Sequence, residues 1–275
     1  MSILGSLTRR LRGSKGESTL HGSVRTLLDL AYACLQRSDY IGARQLRLKA
    51  LEHRKEIQDP ALLAWLLGSL ALTWTQAEEY RERTEFFSQY IAKYPSDVLA
   101  YTFRGGSLWY SGEFRKAIED YSKAIEFNPN DSLALCGRGQ VLVECGEFQK
   151  AMQDLDIALE NIEQIPITND TWRTAVRAYI LNGRGAAFAG LGEFDRALDE
   201  FEKSISLCPQ NAWVFYNRAE AYENRGAKAK AVADYKLALT LSNPKLNTRK
   251  RKYAEVKVKA LLGLAMLVAT LPLCC

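Results

Sequence analysis

Histidine is scarce in this chain: His21 and His53 are the only two in 275 residues. Both lie near the N-terminal end, so most of the sequence has no imidazole for acid–base or nucleophilic catalysis. The six cysteines, Cys34, Cys136, Cys145, Cys208, Cys274 and Cys275, include no C-x-x-C pair. No zinc site is expected, and single thiols of this kind suit a reducing compartment. The signatures G-x-x-x-x-G-K-[ST], H-E-x-x-H and G-x-S-x-G are missing. Gly137–Gly139 and Gly183–Gly185 read G-R-G, but Leu142 and Phe188 stand where a dinucleotide loop needs its last glycine. No cofactor, metal or catalytic residue is expected, and the chain is read as not an enzyme. The start, MSILGSLTRRLRGSKG, lacks the apolar stretch of a secretory signal, so export by that route is not indicated.

The composition, 47% apolar and 25% charged with only 7 prolines, is that of a globular chain. The net charge of +5 is unevenly spread. Residues 1–16 carry Arg9, Arg10, Arg12 and Lys15 without an acid, and residues 245–259 carry seven bases against Glu255 alone. The body between them is mildly acidic, which argues against a nucleic-acid groove and for a binding body with charged tails.

Within that body one segment recurs. GEFRKAIEDYSKAIEFNPND from Gly112 returns as GEFQKAMQDLDIALE from Gly146 and GEFDRALDEFEKSISLCPQN from Gly192. With Val98 to Asp131 as a 34-residue template, register points fall at Ser38, Glu78, Gly112, Gly146, Gly192 and Gly226. Position eight is always small: Ala31, Ala71, Gly105, Gly139, Gly185, Ala219. Positions twenty and twenty-seven are mostly alanine, and position twenty-four is mostly large: Arg47, Phe87, Tyr121, Leu155, Phe201, Tyr235. Small residues let two helices approach and large ones fill the remaining volume. Glycine at fifteen suits the left-handed turn that ends a first helix, and proline at thirty-two stops the second. Each unit is then an antiparallel helix pair that buries its apolar faces by stacking on its neighbours.

Small-at-eight, G-E-F at fifteen to seventeen, A-I-E-D-Y at twenty to twenty-four and N-P at thirty-one to thirty-two resemble the tetratricopeptide repeat. The resemblance covers residues 24–245 as six repeats and is strongest from Val98 onward. It implies an all-α, right-handed superhelical solenoid of about six antiparallel helix pairs plus a C-terminal helix. The repeats fall at about 24–57, 64–97, 98–131, 132–165, 178–211 and 212–245, with extensions near 58–63 and 166–177. Residues 1–21 are expected to be a basic tail, either disordered or a short amphipathic membrane-surface helix in which Ile3, Leu4, Leu7 and Leu11 share a face, and 246–275 a basic and then apolar capping helix.

The resemblance further implies that positions two, five, nine, twelve and thirteen of each first helix face a concave groove. These give Trp65, Leu72 and Gln76; Leu99, Thr102, Gly106, Trp109 and Tyr110; Leu133, Gln140, Val143 and Glu144; Tyr179, Asn182 and Ala186; and Trp213, Tyr216, Glu220, Glu223 and Asn224. Aromatic, amide and acidic groups in that pattern suit a peptide segment or helix of a partner protein, with a neutral or basic one favoured. The branch of the family that clamps chaperone carboxylates needs lysines and asparagines where this chain has Thr102 and Gly106, Cys136 and Gln140, Asn182 and Ala186. That function is rejected. Arg104, Arg138, Arg184 and Arg218 recur at position seven, where a structural role is favoured.

The two longer intervals have a local reading. Lys55 and Glu163 replace the proline at thirty-two, so the second helices before them are expected to run on by about one turn. After Pro166 a long helix is expected, carrying Trp172 either in packing or on the groove's lip. Residues 260–275 are uncharged but shorter than the roughly 20 residues that span a bilayer. A cap over the last repeat is one reading and membrane attachment the other, the terminal Cys274 and Cys275 resembling prenylated two-cysteine ends. The chain is therefore read as a non-enzymatic, cytoplasmic protein–protein interaction scaffold. The alternative is a membrane-attached adaptor, peripheral at a membrane through its C-terminal segment.

Overall fold

A computed structural model describes residues 22–55, 57, 60–76, 79–164, 170–241, 254–258 and 261. The N-terminal tail, nearly all of the apolar C-terminal run with Cys274 and Cys275, and residues 58–59 and 165–169 at the repeat extensions lie outside the described residues. The described residues form α-helices and contain no strand. In order they are α1 (Gly22–Gln36), α2 (Tyr40–Glu52), α3 (Pro60–Gln76), α4 (Tyr80–Lys93), α5 (Val98–Tyr110), α6 (Phe114–Phe127), α7 (Ser132–Glu144), α8 (Phe148–Glu160), α9 (Asp170–Gly190), α10 (Phe194–Leu207), α11 (Ala212–Asn224) and α12 (Lys228–Leu241). A 3-10 turn, Ile162–Gln164, follows α8, and residues 254–258 are again helical.

Short connections fold successive helices back on one another. Gly112, Gly146, Gly192 and Gly226 take φ between 77° and 82°, and Ser38 takes 60°. These are the positions where the register calls for a left-handed residue, and they close α5, α7, α9, α11 and α1. The last residue of each proline-bearing repeat does a second job. Asp97 accepts from the backbone N–H of Leu99, Asp131 from Ala134 at 2.8 Å, and Asn211 from Trp213, so each caps the following helix.

The extensions differ from expectation. α2 stops at Glu52 and α8 at Glu160, without an added α-turn. After α8 the chain tightens into the 3-10 turn, which satisfies terminal carbonyls in fewer residues and buries Ile162. The long helix after Pro166 is α9, 21 residues with Trp172 in its first turn.

The chain packs as two compact units, residues 1–137 with 161–173, and residues 138–160 with 174–275. In both, a small residue at position eight meets the large one at position twenty-four. A Cβ on Gly105 would lie 3.2 Å from the Tyr121 ring, on Gly139 2.7 Å from Leu155, and on Gly185 2.6 Å from Phe201. Phe87, Phe201, Leu155 and Tyr235 are fully buried there, each contributing about 1.5–3 kcal/mol relative to exposure. The first unit's core centres on Leu66, Leu67, Leu70, Trp74 and Phe87, with Phe86 and Tyr90 in ring contact. That of the second centres on Phe201, Val214, Phe215, Tyr216 and Tyr235, and includes Ala254 and Leu261 from the C-terminal segment.

The first unit also buries two arginines. Arg47 donates from Nη1 to the Ser69 carbonyl at 3.0 Å and lies over the Trp65 ring; burial pushes its pKa down to about 10. Arg83 donates to the Phe103 carbonyl at 3.0 Å, and burial lowers its pKa likewise. The departures from the repeat pattern at positions twenty-four and twenty are thus absorbed inside the fold.

A groove on the first helices of the second unit

Two of the first helices, α9 and α11, present small residues on one side: Ala186, Ala189 and Gly190 from α9 and Ala221 from α11. The space beside them is a groove of about 330 Å³. Its walls carry Gln140, Val143 and Glu144 from α7, Trp213, Tyr216, Asn217, Glu220, Glu223 and Asn224 from α11, and Phe148 and Lys257. Gly190 is required here, because a Cβ on it would run into the Phe148 ring.

The polar wall is ordered by hydrogen bonds. Gln140 donates to the Tyr179 carbonyl at 2.9 Å, and Gly183 leaves room for its amide. Asn217 donates to Asn182 Oδ1 at 3.0 Å, which fixes two buried amides against each other. The Tyr216 hydroxyl donates to Glu220 at 3.1 Å, while its ring meets Tyr235 edge-on at 5.7 Å. Glu223 accepts at both oxygens, from the Tyr235 hydroxyl at 3.0 Å and from Lys257 Nζ at 2.7 Å. Three glutamates therefore face one lysine across the lining. Fixed dipoles of this kind recognise a ligand at little reorganisation cost.

Of the residues expected on the groove, Gln140, Val143, Glu144, Ala186, Trp213, Tyr216, Glu220, Glu223 and Asn224 come together here. Tyr179 supplies a carbonyl behind the wall, and Asn182 is buried beneath Asn217. The remaining ones belong to the first unit and line no part of this groove. Trp65 sits under Arg47, and Leu99 packs on the first core. Thr102 is buried with its hydroxyl donating to the Val98 carbonyl. Trp109 and Tyr110 are half-buried neighbours, and Tyr110 stacks on Tyr80 at 4.9 Å. Phe148 and Lys257 were not anticipated: the first reads as the turn aromatic of GEF, the second as one base among seven.

The position-seven arginines have a different role. Arg104, Arg138 and Arg218 each grip the position-twenty-three aspartate of the second helix, Asp120, Asp154 and Asp234, through paired bonds of 2.7–2.9 Å. Arg184 has Glu200 instead, at 3.5 Å, and turns to Asp156 at 3.1 Å. The recurrent bases are internal clamps. Among the described residues no group of His, Cys, Asp or Glu is placed to hold a metal, and no helix is long and apolar enough to cross a membrane.

The helix pairs, the small-on-large contacts and the clamps define an α-helical repeat protein. Sequence models described as tetratricopeptide repeats match residues 98–131, 120–153 and 214–244, and one described as TPR repeat matches 185–226. Tetratricopeptide repeat protein 36 of Caenorhabditis elegans is 37% identical over 68 residues, 25% of this chain and 38% of that protein. Its Nematostella vectensis homologue is 35% identical over 81 residues, 30% of this chain and 45% of that protein. The chain thus spans less than half the length of these curated relatives. Among solved structures, a chain of the APC/C hetero-tetramer Cut9–Hcn1 covers 94% of this one at TM-score 0.65 and 18% identity, the match taking 45% of that chain. A tetratricopeptide repeat protein from Parabacteroides merdae covers 88% at TM-score 0.50 and 20% identity, over 100% of its own chain. Tetratricopeptide repeats are thus shown within residues 98–153 and 185–244, and that fold implies a protein–protein interaction scaffold.

Proposed function

We propose that the chain is a non-catalytic adaptor whose groove on α7, α9 and α11 holds a neutral or basic peptide segment or helix of a partner protein. The observation that carries this reading is the lining itself. Trp213, half-buried on the lining, offers apolar area with little rotamer entropy to lose. Asn224, exposed on the rim, offers an amide to an extended backbone, and the buried Gln140, Tyr216 and Asn217 form the floor behind them. Glu144, Glu220 and Glu223 outnumber Lys257, which disfavours an acidic segment and steers a basic one.

For the alternative, attachment to a membrane through the C-terminal segment, no observation speaks. Ala254 and Leu261 are buried with the core of the second unit, which supports a capping role for that part of the segment.

An array of immobilised peptides of varied charge tests the groove. Glu144 is exposed on its rim, so Glu144→Lys leaves the fold intact while reversing a charge. The wild-type chain should retain basic and neutral peptides above acidic ones, and the variant should lose the basic set. Equal retention by both would overturn the placement.

A further inference from the structure

Among the described residues Lys257 is the one base on the groove lining, and it comes from outside the repeats. Its ammonium lies 2.7 Å from Glu223 Oε1, while the Tyr235 hydroxyl donates to Oε2 at 3.0 Å. Lys257 and Glu223 are half-buried, with side chains 28% and 24% exposed. Tyr235 is fully buried and cannot turn away. Glu223 is therefore an anchored carboxylate aimed at a place where an ammonium already sits. Ala254 and Leu261, on either side of Lys257 in the chain, are buried in the second unit's core. They hold the segment so that a lysine reaches in from the groove's edge.

We propose that Glu223, backed by Tyr235, is the cation subsite of the groove, and that Lys257 fills it as a built-in competitor. The partner supplies a lysine or arginine that replaces the Lys257 ammonium on Glu223. This rests on the reading of the groove as the partner site and names the chemistry of one position within it. Replacement exchanges one charge-assisted hydrogen bond for another. The cost to a partner is therefore that of breaking the internal pair, and its apparent affinity is lowered by the fraction of molecules in which Lys257 is seated. For a partly exposed charged pair the reduction is about threefold to tenfold.

The test titrates the full chain with N-acetyl tetralysine amide by calorimetry, at physiological ionic strength. Lys257→Gln should bind this probe about threefold to tenfold more tightly than wild type. Lys257→Arg keeps the cation and should behave as wild type. Adding Glu223→Gln to Lys257→Gln should remove the gain. If Lys257→Gln gives no gain although Glu144→Lys weakens binding, the groove stands and the competitor is refuted. A gain with Lys257→Arg equal to that with Lys257→Gln also refutes it, because packing of the segment and not its charge would then be at work. If Glu144→Lys has no effect either, the groove reading fails and takes the subsite with it.

Discussion

Gly185 gives the sharpest test of how the helix pairs close. It stands at position eight of α9, facing the fully buried Phe201 of α10. A methyl group there would lie 2.6 Å from Cε1 and 2.7 Å from Cδ1 of that ring. Carbon atoms rest at about 3.5–4.0 Å, so ring or helix must move by about 1 Å. Overpacking of this order costs about 1–3 kcal/mol. Alanine in place of glycine inside a helix returns about 1 kcal/mol. Gly185→Ala should therefore destabilise the protein by roughly 1 kcal/mol, up to about 2. Leucine in place of Phe201 would still collide, as Leu155 does with a Cβ on Gly139 at 2.7 Å, so Phe201→Ala is the change that removes the colliding atoms. In that background only the propensity gain remains, and the same substitution should become neutral or stabilise by about 1 kcal/mol. Urea unfolding followed by far-ultraviolet circular dichroism, on wild type, both single variants and the double, measures the sign change directly. If Gly185→Ala stabilises the wild-type background as much as the Phe201→Ala one, the two helices do not approach as argued.

Three further outcomes follow from named residues. A methyl group on Gly192 would meet nothing within 4 Å, but the residue has a φ of +81°, so Gly192→Ala should cost about 1–2 kcal/mol through backbone strain alone, with no neighbouring substitution able to rescue its urea midpoint. Arg47 is a buried cation whose pKa burial lowers to about 10. A base depressed in the folded state destabilises it while protonated, so Arg47→Leu should raise the unfolding free energy at neutral pH by about 1–2 kcal/mol, and a fall would contradict that reading. Burial also raises the pKa of the helix-capping Asp131. The folded state then keeps this proton to higher pH than the unfolded chain, so stability declines as pH rises through the window just above the ordinary aspartate range. Asp131→Asn keeps the capping oxygen and should flatten the decline in midpoints measured across that window; an unchanged slope would contradict the assignment.

The repeat was legible because its determinants are local or separated by a fixed distance. The left-handed turn residues announce themselves by type at Gly112, Gly146, Gly192 and Gly226, and even the serine at Ser38 follows from register alone. Position eight facing twenty-four follows from spacing within one hairpin, as Gly139 against Leu155 illustrates. Helix ends without proline were less legible, since α8 gives way to a 3-10 turn that buries Ile162. Part of the groove was readable from the face that α7 and α11 share with their repeat positions. What periodicity could not supply was the fate of each polar group. Thr102 satisfies itself on its own helix, whereas Asn182 needs Asn217, 35 residues away. Phe148 meets Gly190 across a whole repeat, and Lys257 reaches Glu223 from beyond the last one. Contacts of that range depend on three-dimensional closure and leave no spacing in the sequence.

Site-specific photocrosslinking tests the central claim most directly. A photoreactive residue at Asn224, exposed on the groove's rim, is compared with one at Lys236, exposed on α12 outside the groove lining. With a basic partner segment added, the account predicts a crosslink from position 224 that excess unlabelled segment abolishes, and none from position 236. A crosslink from 236 without one from 224 would contradict it.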